Sequence, residues 1–313
     1  MKIPILTGTT ASGKTAIAIE LARDHGDIEI VNADSMLVYR GMDVGTAKPS
    51  AQELRDIPHH LVDIRNPDEP YTAGDFFREA TAAIREIQAR GKKPFVVGGT
   101  GFYLKALLYG MWSAPPADPG FRARLENLSN EQLFSDLSRS DPVSAAKIGQ
   151  NDRYRLVRAL EILHLSGQTT SELRSATKPI PNPDFEFFWV DRDTPELHSR
   201  IHERTAQMLR NGLIDEVSKI LKSTPEARSL GAVGYAQVRD FLKGNKPKGR
   251  KIKEGMAGVQ DEIELATRQL VKRQRTWFKS QTDATPTLLE RDRDLLLGRL
   301  REAFSVANGQ GKK

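Results

Sequence analysis

The stretch GTTASGKT at residues 8–15 constrains the fold more than any other part of the chain. It fits the pattern G-x-x-x-x-G-K-[ST], a phosphate-binding loop that joins a strand to a helix. The apolar run IPIL precedes it and a helix-forming stretch follows it, so the context agrees with the motif and disfavours a glycine turn without a ligand. The predicted phosphate-binding residues are Gly8, Thr9, Thr10, Ala11, Ser12, Gly13, Lys14 and Thr15.

The chemistry of such a loop comes from its backbone and from two side chains. We expect the N–H groups of residues 9–14 to point at phosphate oxygens, helped by the positive end of the helix. Lys14 would add a full charge, and the Thr15 hydroxyl would be a ligand of Mg²⁺. The loop alone does not say whose phosphates it holds, so ATP and other phosphorylated ligands remain open.

Strand and helix patterns alternate through the first third of the chain. IPILTG, IEIVNAD and PFVVGGTG are predicted strands, and helices are predicted after the first strand, at about 72–90, and over FYLKALLYG. Strands that are apolar almost throughout are typical of a buried parallel sheet. The predicted fold class is therefore α/β, with a P-loop NTPase-like core in which helices flank a parallel sheet.

The alternation stops at SAPPADPG and resumes with FEFFWV. Residues 115–184 are predicted to be an all-helical insertion, carried by a core made of residues 1–114 and 185–313. Later helices are predicted from Thr194, as the capping residue, to Asn211–Gly212, and from about 259 to 280 in a long final helix. The lysine-rich KGNKPKGRKIK and the terminal ANGQGKK are the biased segments.

Composition narrows the class of protein. Apolar residues make up 38% and charged residues 28% of the 313, as in a soluble globular protein. The absence of cysteine excludes disulfides, thiolate metal sites and cysteine nucleophiles, and it fits the reducing cytoplasm. We expect neither a signal peptide nor a membrane span. A net charge of +6 favours an acidic partner.

Two polar residues follow predicted strands. Asp34 closes IEIVNAD and Thr100 follows PFVVGG, so both should face the crevice beyond the carboxyl ends of the strands, where the phosphate loop also lies. For Asp34 three roles compete: ligand of Mg²⁺, general base, or cap of the following turn. The turn around Thr100 is a weak motif by itself. It becomes informative because Asp34 and Lys14 are expected to face the same crevice.

Basic residues recur on two predicted helices. Arg200 and Arg204 lie one turn apart on one helical face. A role in the crevice would place Arg204 over a phosphate as a bidentate clamp, whereas Glu196 and Glu203 offer the alternative of a charge-paired surface. On the long final helix, Arg268, Lys272, Arg275 and Lys279 recur at helical spacing. The acids of that helix precede them, so the stripe is predicted to be uncompensated and to favour a polyanion.

The assembled motifs resemble one family. GTTASGKT, VNADSMLVYRGMDVGTAKP, PHHLVDI, VGGTGFYLKALL, NDRYRLVRALEI, GAVGYAQ and ATRQLVKRQRTWF occur in the order and spacing of tRNA dimethylallyltransferases, from residue 5 to about 280. The resemblance implies transfer of a dimethylallyl group from dimethylallyl diphosphate to N6 of adenosine 37 in tRNA, with Mg²⁺. It also implies that Asp34 is the general base, that Thr100 and Arg204 line the reaction channel, and that residues 10–15 hold the diphosphate.

The resemblance further implies how tRNA is bound, with the insertion gripping the anticodon stem-loop. The tRNA-binding residues it predicts, together with the basic helix, are Asp34, Ser35, Met36, Leu37, Thr100, Arg122, Gln150, Asn151, Asp152, Arg153, Tyr154, Arg155, Arg268, Lys272 and Arg275. Two positions depart from the family pattern: Thr9 stands where proline is usual, and Leu37 where glutamine is common. Neither change removes a charge or a hydroxyl that the chemistry needs.

Three other functions compete. An adenylate isopentenyltransferase would modify free AMP, ADP or ATP, but it would not need the helical insertion or the basic final helix. A small-molecule kinase would use the loop for ATP, yet the sequence offers no evident further strand ending in aspartate to hold Mg²⁺. A non-catalytic RNA-binding module does not explain the set Lys14, Thr15, Asp34 and Thr100. We expect a cytoplasmic, monomeric enzyme.

Overall fold

The computed structural model describes residues 2–111, 115–176, 182–245, 255–281 and 284–305. The chain divides into two compact units, one made of Met1–Leu108 with Asn182–Lys313 and the other of Tyr109–Pro181. The predictions made for the lysine-rich segment after residue 245 and for the C-terminal tail fall outside the described residues.

The first unit is built on a parallel sheet of six strands. The strands are β1 (Ile3–Gly8), β2 (Ile28–Asn32), β3 (His59–His60), β4 (Lys93–Gly98), β5 (Phe185–Asp191) and β6 (Thr287–Leu288). Their order across the sheet is β3-β2-β4-β1-β5-β6, and every pairing is parallel. The predicted α/β class is confirmed, and the carboxyl ends of β1, β2, β4 and β5 meet at one edge.

Helices fill the rest of both units. Within the described residues they are α1 (Lys14–His25), α2 (Ala51–Asp56), α3 (Ala73–Ala89), α4 (Gly101–Tyr109), α5 (Pro119–Leu125), α6 (Asn130–Ser140), α7 (Pro142–Ala145), α8 (Arg153–Ser166), α9 (Thr170–Ala176), α10 (Thr194–Arg210), α11 (Leu213–Ser223), α12 (Tyr235–Leu242), α13 (Gly255–Gln281) and α14 (Leu289–Ser305). A 3₁₀ turn at Arg228–Gly231 precedes α12.

Helix α3 shows how local sequence sets an element. The Thr72 hydroxyl caps it by accepting the Asp75 N–H, and the Asp75 side chain accepts the Thr72 N–H. This capping box satisfies two amide groups at the helix start. Its buried face is Phe76, Ala80, Ala83, Ile84 and Ile87. The helix predicted at about 72–90 is confirmed.

Three predicted boundaries differ from the structure. Strand β2 ends at Asn32, so Asp34 lies on the following turn rather than on the strand. Asp193, not Thr194, is the capping position of α10, and its side chain makes no capping bond. Helix α13 is not the last element, because β6 and α14 follow it. Helix α14 escaped prediction because its apolar residues are interleaved with charges and are recognised only by their burial under the sheet.

The second unit has a small core of its own. Residues Leu133, Leu137, Ile148, Leu156 and Ala159 are buried together where α6 and α8 meet. Among the described residues this unit contains helices only, as the sequence predicted. The prediction set its limits at residues 115 and 184, whereas the compact unit is Tyr109–Pro181.

Glu161 is the electrostatic centre of the second unit. Its side chain is fully buried and accepts bonds from Arg122, at 2.7 and 2.9 Å, from Arg158, and from the Asp118 N–H at 2.8 Å. Burial alone would disfavour the charge, but the hydrogen bonds of Arg122 and Arg158 outweigh it and lower the pKa of Glu161 to about 2.

We predict that Glu161→Ala destabilises the helices of residues 115–176 by about 3–5 kcal/mol, because it leaves two arginines without their buried partner. A carboxylate with a depressed folded pKa stabilises the fold above its unfolded pKa, about 4.3, and the stabilisation is lost as pH falls towards 2. Hydrogen exchange of the whole chain between pH 5 and 3 measures both effects. The exposed Glu131→Ala is the matched control, and equal protection in the two variants would contradict the prediction.

Candidate active site

The phosphate loop is held open by its backbone conformation. It links β1 to α1, with Ala11 and Gly13 both at positive φ, 66° and 99°. A β-carbon on Gly8 would lie 2.4 Å from the Val190 carbonyl oxygen, so only glycine fits at the end of β1. A loop of this shape directs successive backbone N–H groups towards one point, where an anion can bind.

Four of the loop's amide groups are free to bind an anion. The N–H groups of Ala11, Gly13, Lys14 and Thr15 have no partner in the described part of the chain. The expectation that all of residues 9–14 point at phosphate is wrong in two places, because the Ser12 N–H donates to the Thr9 carbonyl at 3.2 Å and the Thr10 N–H donates to a side chain of α13.

Lys14 lies at a position where burial disfavours the charged form of its side chain. Its ammonium is 3.5 Å from the Thr9 carbonyl oxygen and close to the Gly99 backbone. Burial lowers the pKa of Lys14 to about 8; the nearby Asp34 partly opposes the shift, and Arg204 adds to it. An anion bound in the loop would restore the stability of the charged form.

Asp34 and Thr100 lie side by side at the ends of neighbouring strands. The Thr100 hydroxyl accepts the Ser35 N–H at 2.9 Å, and the Asn32 amide accepts the Asp34 N–H at 2.9 Å. Oδ1 of Asp34 accepts the Met36 N–H at 2.9 Å, so the capping role is present. Its second oxygen has no hydrogen-bond partner among the described residues, and this leaves it available to a ligand. Ser35, Met36 and Leu37 are each partly exposed.

Arg200 and Arg204 of α10 contact backbone carbonyls around the site instead of pairing on the surface. Arg200 donates to the Ala11 carbonyl of the phosphate loop at 2.9 Å, and Arg204 donates to the Thr46 carbonyl at 3.1 Å. Neither forms an ion pair with Glu196 or Glu203, so the charge-paired alternative is wrong. Burial lowers the pKa of Arg204, with Asp34 opposing and Arg200 reinforcing the shift.

Strand β5 contributes an acid that the sequence interpretation missed. Asp191 is the last residue of β5, beside β1, and it is buried. Its carboxylate accepts the Thr9 hydroxyl at 3.1 Å and a bidentate pair from Arg275 at 2.7 and 3.1 Å. A strand ending in aspartate is therefore present, contrary to the expectation, but its oxygens are already engaged by Thr9 and Arg275. The signal was the DRD triplet after FEFFWV.

Helix α13 braces the loop through Gln274 as well. Its side-chain oxygen accepts the Thr10 N–H at 2.9 Å, and its amide donates to the Gly99 carbonyl at 3.0 Å. Gln274 thus spans the phosphate loop and the turn that carries Thr100. Gln274 lies within the motif ATRQLVKRQRTWF, but the sequence assigned it no role, because its partners are 264 and 175 residues away.

The prediction of an uncompensated basic stripe on α13 is wrong for two of its members. Arg275 is bound to Asp191, and Arg268 pairs with the buried Glu264 at 3.4 Å. Lys272 is exposed and forms no ion pair within the described ranges. The charge was compensated by an acid from a distant strand and by one on the same helix a turn earlier, and the former cannot be found from helical spacing.

The residues predicted to contact tRNA in the second unit fall into two groups. Arg122 is bound to Glu161, and Arg153 donates to the Leu125, Glu126 and Leu128 carbonyls, which closes the end of α5. Asp152 caps α8. The side chains that remain exposed at this turn are Gln150, Asn151, Tyr154 and Arg155. They border a shallow depression formed by residues 149–154.

The donor set of the first unit fits Mg²⁺ only with a phosphate ligand. Within the described ranges no cluster of three or more His, Cys, Asp and Glu side chains is arranged to hold a metal. The Ser12 hydroxyl is buried without a partner in the loop, and Thr15 is the second residue of α1. Mg²⁺ commonly keeps waters and shares phosphate oxygens with few protein ligands, so this donor set is compatible with it.

Sequence comparison places these features in a family. The profile described as IPP transferase matches residues 37–281. A protein named tRNA dimethylallyltransferase 1 from Citrifermentans bemidjiense is 42% identical over 287 residues, which cover 90% of this chain and 90% of that protein. A tRNA dimethylallyltransferase from Geobacter sulfurreducens is 40% identical over 285 residues, or 89% of each.

Solved structures agree. A tRNA delta(2)-isopentenylpyrophosphate transferase from Staphylococcus epidermidis is 32% identical, with a TM-score of 0.68 over 98% of this chain and 100% of that one. A eukaryotic dimethylallyltransferase described as acting on tRNA is 26% identical, with a TM-score of 0.80 over 98% of this chain and 78% of that one.

No helix in the part of the chain that the structure describes has the length and apolar character needed to cross a membrane. The profile match, the two relatives above 30% identity and the shared fold lead to one conclusion: the chain belongs to the IPP transferase family of tRNA dimethylallyltransferases.

Proposed function

We propose that this protein transfers a dimethylallyl group from dimethylallyl diphosphate to N6 of adenosine 37 in tRNA and releases diphosphate. The observation that carries the proposal is the grouping of Lys14, Asp34 and Arg204, which interact electrostatically at the edge of the sheet beside free loop amides. The names of the relatives, tRNA dimethylallyltransferases, support the reaction. So does a structural neighbour described as acting on tRNA.

The main task of such a site is to stabilise the leaving group. As the allylic carbon–oxygen bond breaks, negative charge develops on the diphosphate. Lys14, Arg204 and the amides of Ala11 and Gly13 are the groups that would bind it. Mg²⁺, held by the Thr15 hydroxyl and the diphosphate, would supply further positive charge when bound.

Asp34 has the role of accepting a proton. The exocyclic amine of adenine is a poor nucleophile because its lone pair is delocalised, so the nitrogen–carbon bond forms as the diphosphate departs. The free oxygen of Asp34 takes the proton that this amine loses. The bond from the Met36 N–H to the other oxygen holds the carboxylate in one orientation, and Thr100 fixes the adjacent Ser35. The adenine must leave its stack to reach the site, which an anticodon loop permits.

The rival functions are less compatible with the site. A kinase would hold Mg²⁺ with a strand-end aspartate, but Asp191 is bound to Thr9 and Arg275. An adenylate isopentenyltransferase acting on free AMP, ADP or ATP would leave the exposed turn at Gln150, Asn151, Tyr154 and Arg155 without a role. We further propose that the enzyme is a cytoplasmic monomer whose helical unit binds the anticodon stem-loop.

We predict that label from dimethylallyl diphosphate enters unmodified tRNA, in the presence of Mg²⁺, and enters neither AMP nor ATP. Thin-layer separation of the nuclease-digested products measures this. Label in AMP or ATP would move the assignment to an adenylate isopentenyltransferase, and no label in any acceptor would overturn the proposal.

In the same assay Asp34→Asn, which keeps the acceptor for the Met36 N–H, should lower kcat by on the order of 10²- to 10⁴-fold while tRNA binding persists.

We predict that the Kd for inorganic diphosphate with Mg²⁺ rises as pH increases from 7 to 9. Burial lowers the pKa of free Lys14 to about 8, so the ammonium that binds the anion is lost over this range. Titration calorimetry measures the Kd. Lys14→Arg is the control, because arginine stays charged throughout, and the difference between the two profiles removes the titration of diphosphate itself. Parallel profiles would contradict the prediction.

We predict that Lys272→Ala reduces the salt dependence of tRNA binding, with a slope smaller by about 1, because one phosphate contact is lost. Arg275→Ala should instead lower thermal stability, since it unpairs the buried Asp191. Filter binding at several salt concentrations and thermal melting measure the two effects. Lys222→Ala, another exposed lysine, is the matched control and should leave the slope unchanged. An unchanged slope in Lys272→Ala would remove that residue from the tRNA surface.

A further inference from the structure

Glu216, near the start of α11, makes a set of bonds that the reaction does not explain. Oε2 accepts the N–H groups of Asp43 and Val44 at 2.9 and 2.8 Å, and Oε1 accepts the Gly45 N–H at 3.1 Å. Oε1 also accepts the Tyr235 hydroxyl at 2.6 Å. Three successive backbone amides around one carboxylate form an anion nest, here filled by a side chain of the same chain.

The segment that Glu216 binds is closely packed and conformationally restricted. A β-carbon on Gly45 would lie 2.5 Å from the Tyr235 ring, so the backbone rests directly on that ring. Lys48, whose side chain is only 4% exposed, donates to the Tyr39 carbonyl at 2.9 Å and to Asp43 at 2.6 Å. Ala47 has a positive φ of 50°. Residues 43–45 are therefore held by the Glu216 carboxylate, and the Lys48 ammonium binds the Asp43 side chain.

This segment ends at the proposed reaction site. The Thr46 carbonyl accepts the Arg204 guanidinium at 3.1 Å, and the Thr46 hydroxyl donates to the Met42 carbonyl at 2.7 Å. Arg204 forms no ion pair among the described residues, so this carbonyl is the contact that fixes its guanidinium. Any shift of residues 43–46 moves the acceptor on which Arg204 depends.

We propose that Glu216 is a positioning residue: by seating the amides of residues 43–45 it places the Thr46 carbonyl, and through it Arg204, for binding the diphosphate. This inference rests on the proposed function, since it assumes that Arg204 binds diphosphate. Without the carboxylate, three amide groups lose their acceptor and the segment relaxes. A displacement of about 1 Å in a positioned group can cost on the order of 10²-fold in rate.

A double-mutant cycle tests the coupling. The Kd of inorganic diphosphate with Mg²⁺ is measured for the full-length wild type, Glu216→Gln, Arg204→Ala and the double variant. We expect Glu216→Gln to weaken binding about tenfold in the wild-type background and less than about twofold when Arg204 is already absent. In the prenyl-transfer assay Glu216→Gln should lower kcat more than it changes the KM for tRNA.

Two further variants separate positioning from folding. Glu29→Gln alters another buried acid, paired with His60 and Arg90, and should change the Kd by the same factor in both backgrounds. If Glu216→Gln does not fold, Tyr235→Phe takes its place in the cycle, because it removes one bond from the same carboxylate. An equal effect of either variant with and without Arg204 would overturn the positioning role and leave the proposed function intact. Wild-type diphosphate affinity in Arg204→Ala would overturn the premise that Arg204 binds diphosphate, and the positioning role with it, while the transfer reaction itself is decided by the labelling assay.

Discussion

The site depends on the buried carboxylate of Asp191. It joins three parts of the chain that are far apart in sequence: the phosphate loop through Thr9, strand β5 through its own backbone, and helix α13 through Arg275. Arg275 extends the connection by donating to the Arg192 carbonyl at 2.6 Å. Arg192 in turn donates to the Ser12 carbonyl of the loop at 2.9 Å. A buried carboxylate is costly unless its oxygens are hydrogen-bonded, and here both oxygens are used.

The second constraint is an excess of positive charge around an anion site. Lys14, Arg200 and Arg204 converge near the loop, and Asp34 is the acid that acts on Lys14 and Arg204. Burial lowers the pKa of both Lys14 and Arg204, which means that their charged forms lack full compensation in the free protein. Binding a diphosphate would relieve that cost, and its departure would restore it. The same electrostatics that bind the donor would therefore favour a leaving group that carries more negative charge.

Much of the site was predictable because its signals are local. The phosphate loop follows from eight consecutive residues, and the positions of Asp34 and Thr100 follow from the rule that parallel strands share a carboxyl edge. Arg204 was one of two candidate arginines, with a surface alternative that the sequence could not remove. Gln274, Asp191 and Glu216 were not predicted, because each acts on residues more than 170 positions away. The basic stripe on α13 was overpredicted because Arg275 is paired with an acid on a distant strand and Arg268 with one on its own helix.

The sequence by itself determined the periodic features: apolar strands and helix faces, the cap of α3, the loop motif and the family resemblance. These depend on neighbouring residues, whose spacing fixes which side of an element they occupy. Only the tertiary structure decided which charged side chains are paired within the protein and which remain available to a ligand. Arg275 and Arg268 look like Lys272 in the sequence, yet two of the three are paired with acids. Ion pairing is decided by distance in space, and the distance between Asp191 and Arg275 is set only when β5 and α13 pack around the phosphate loop.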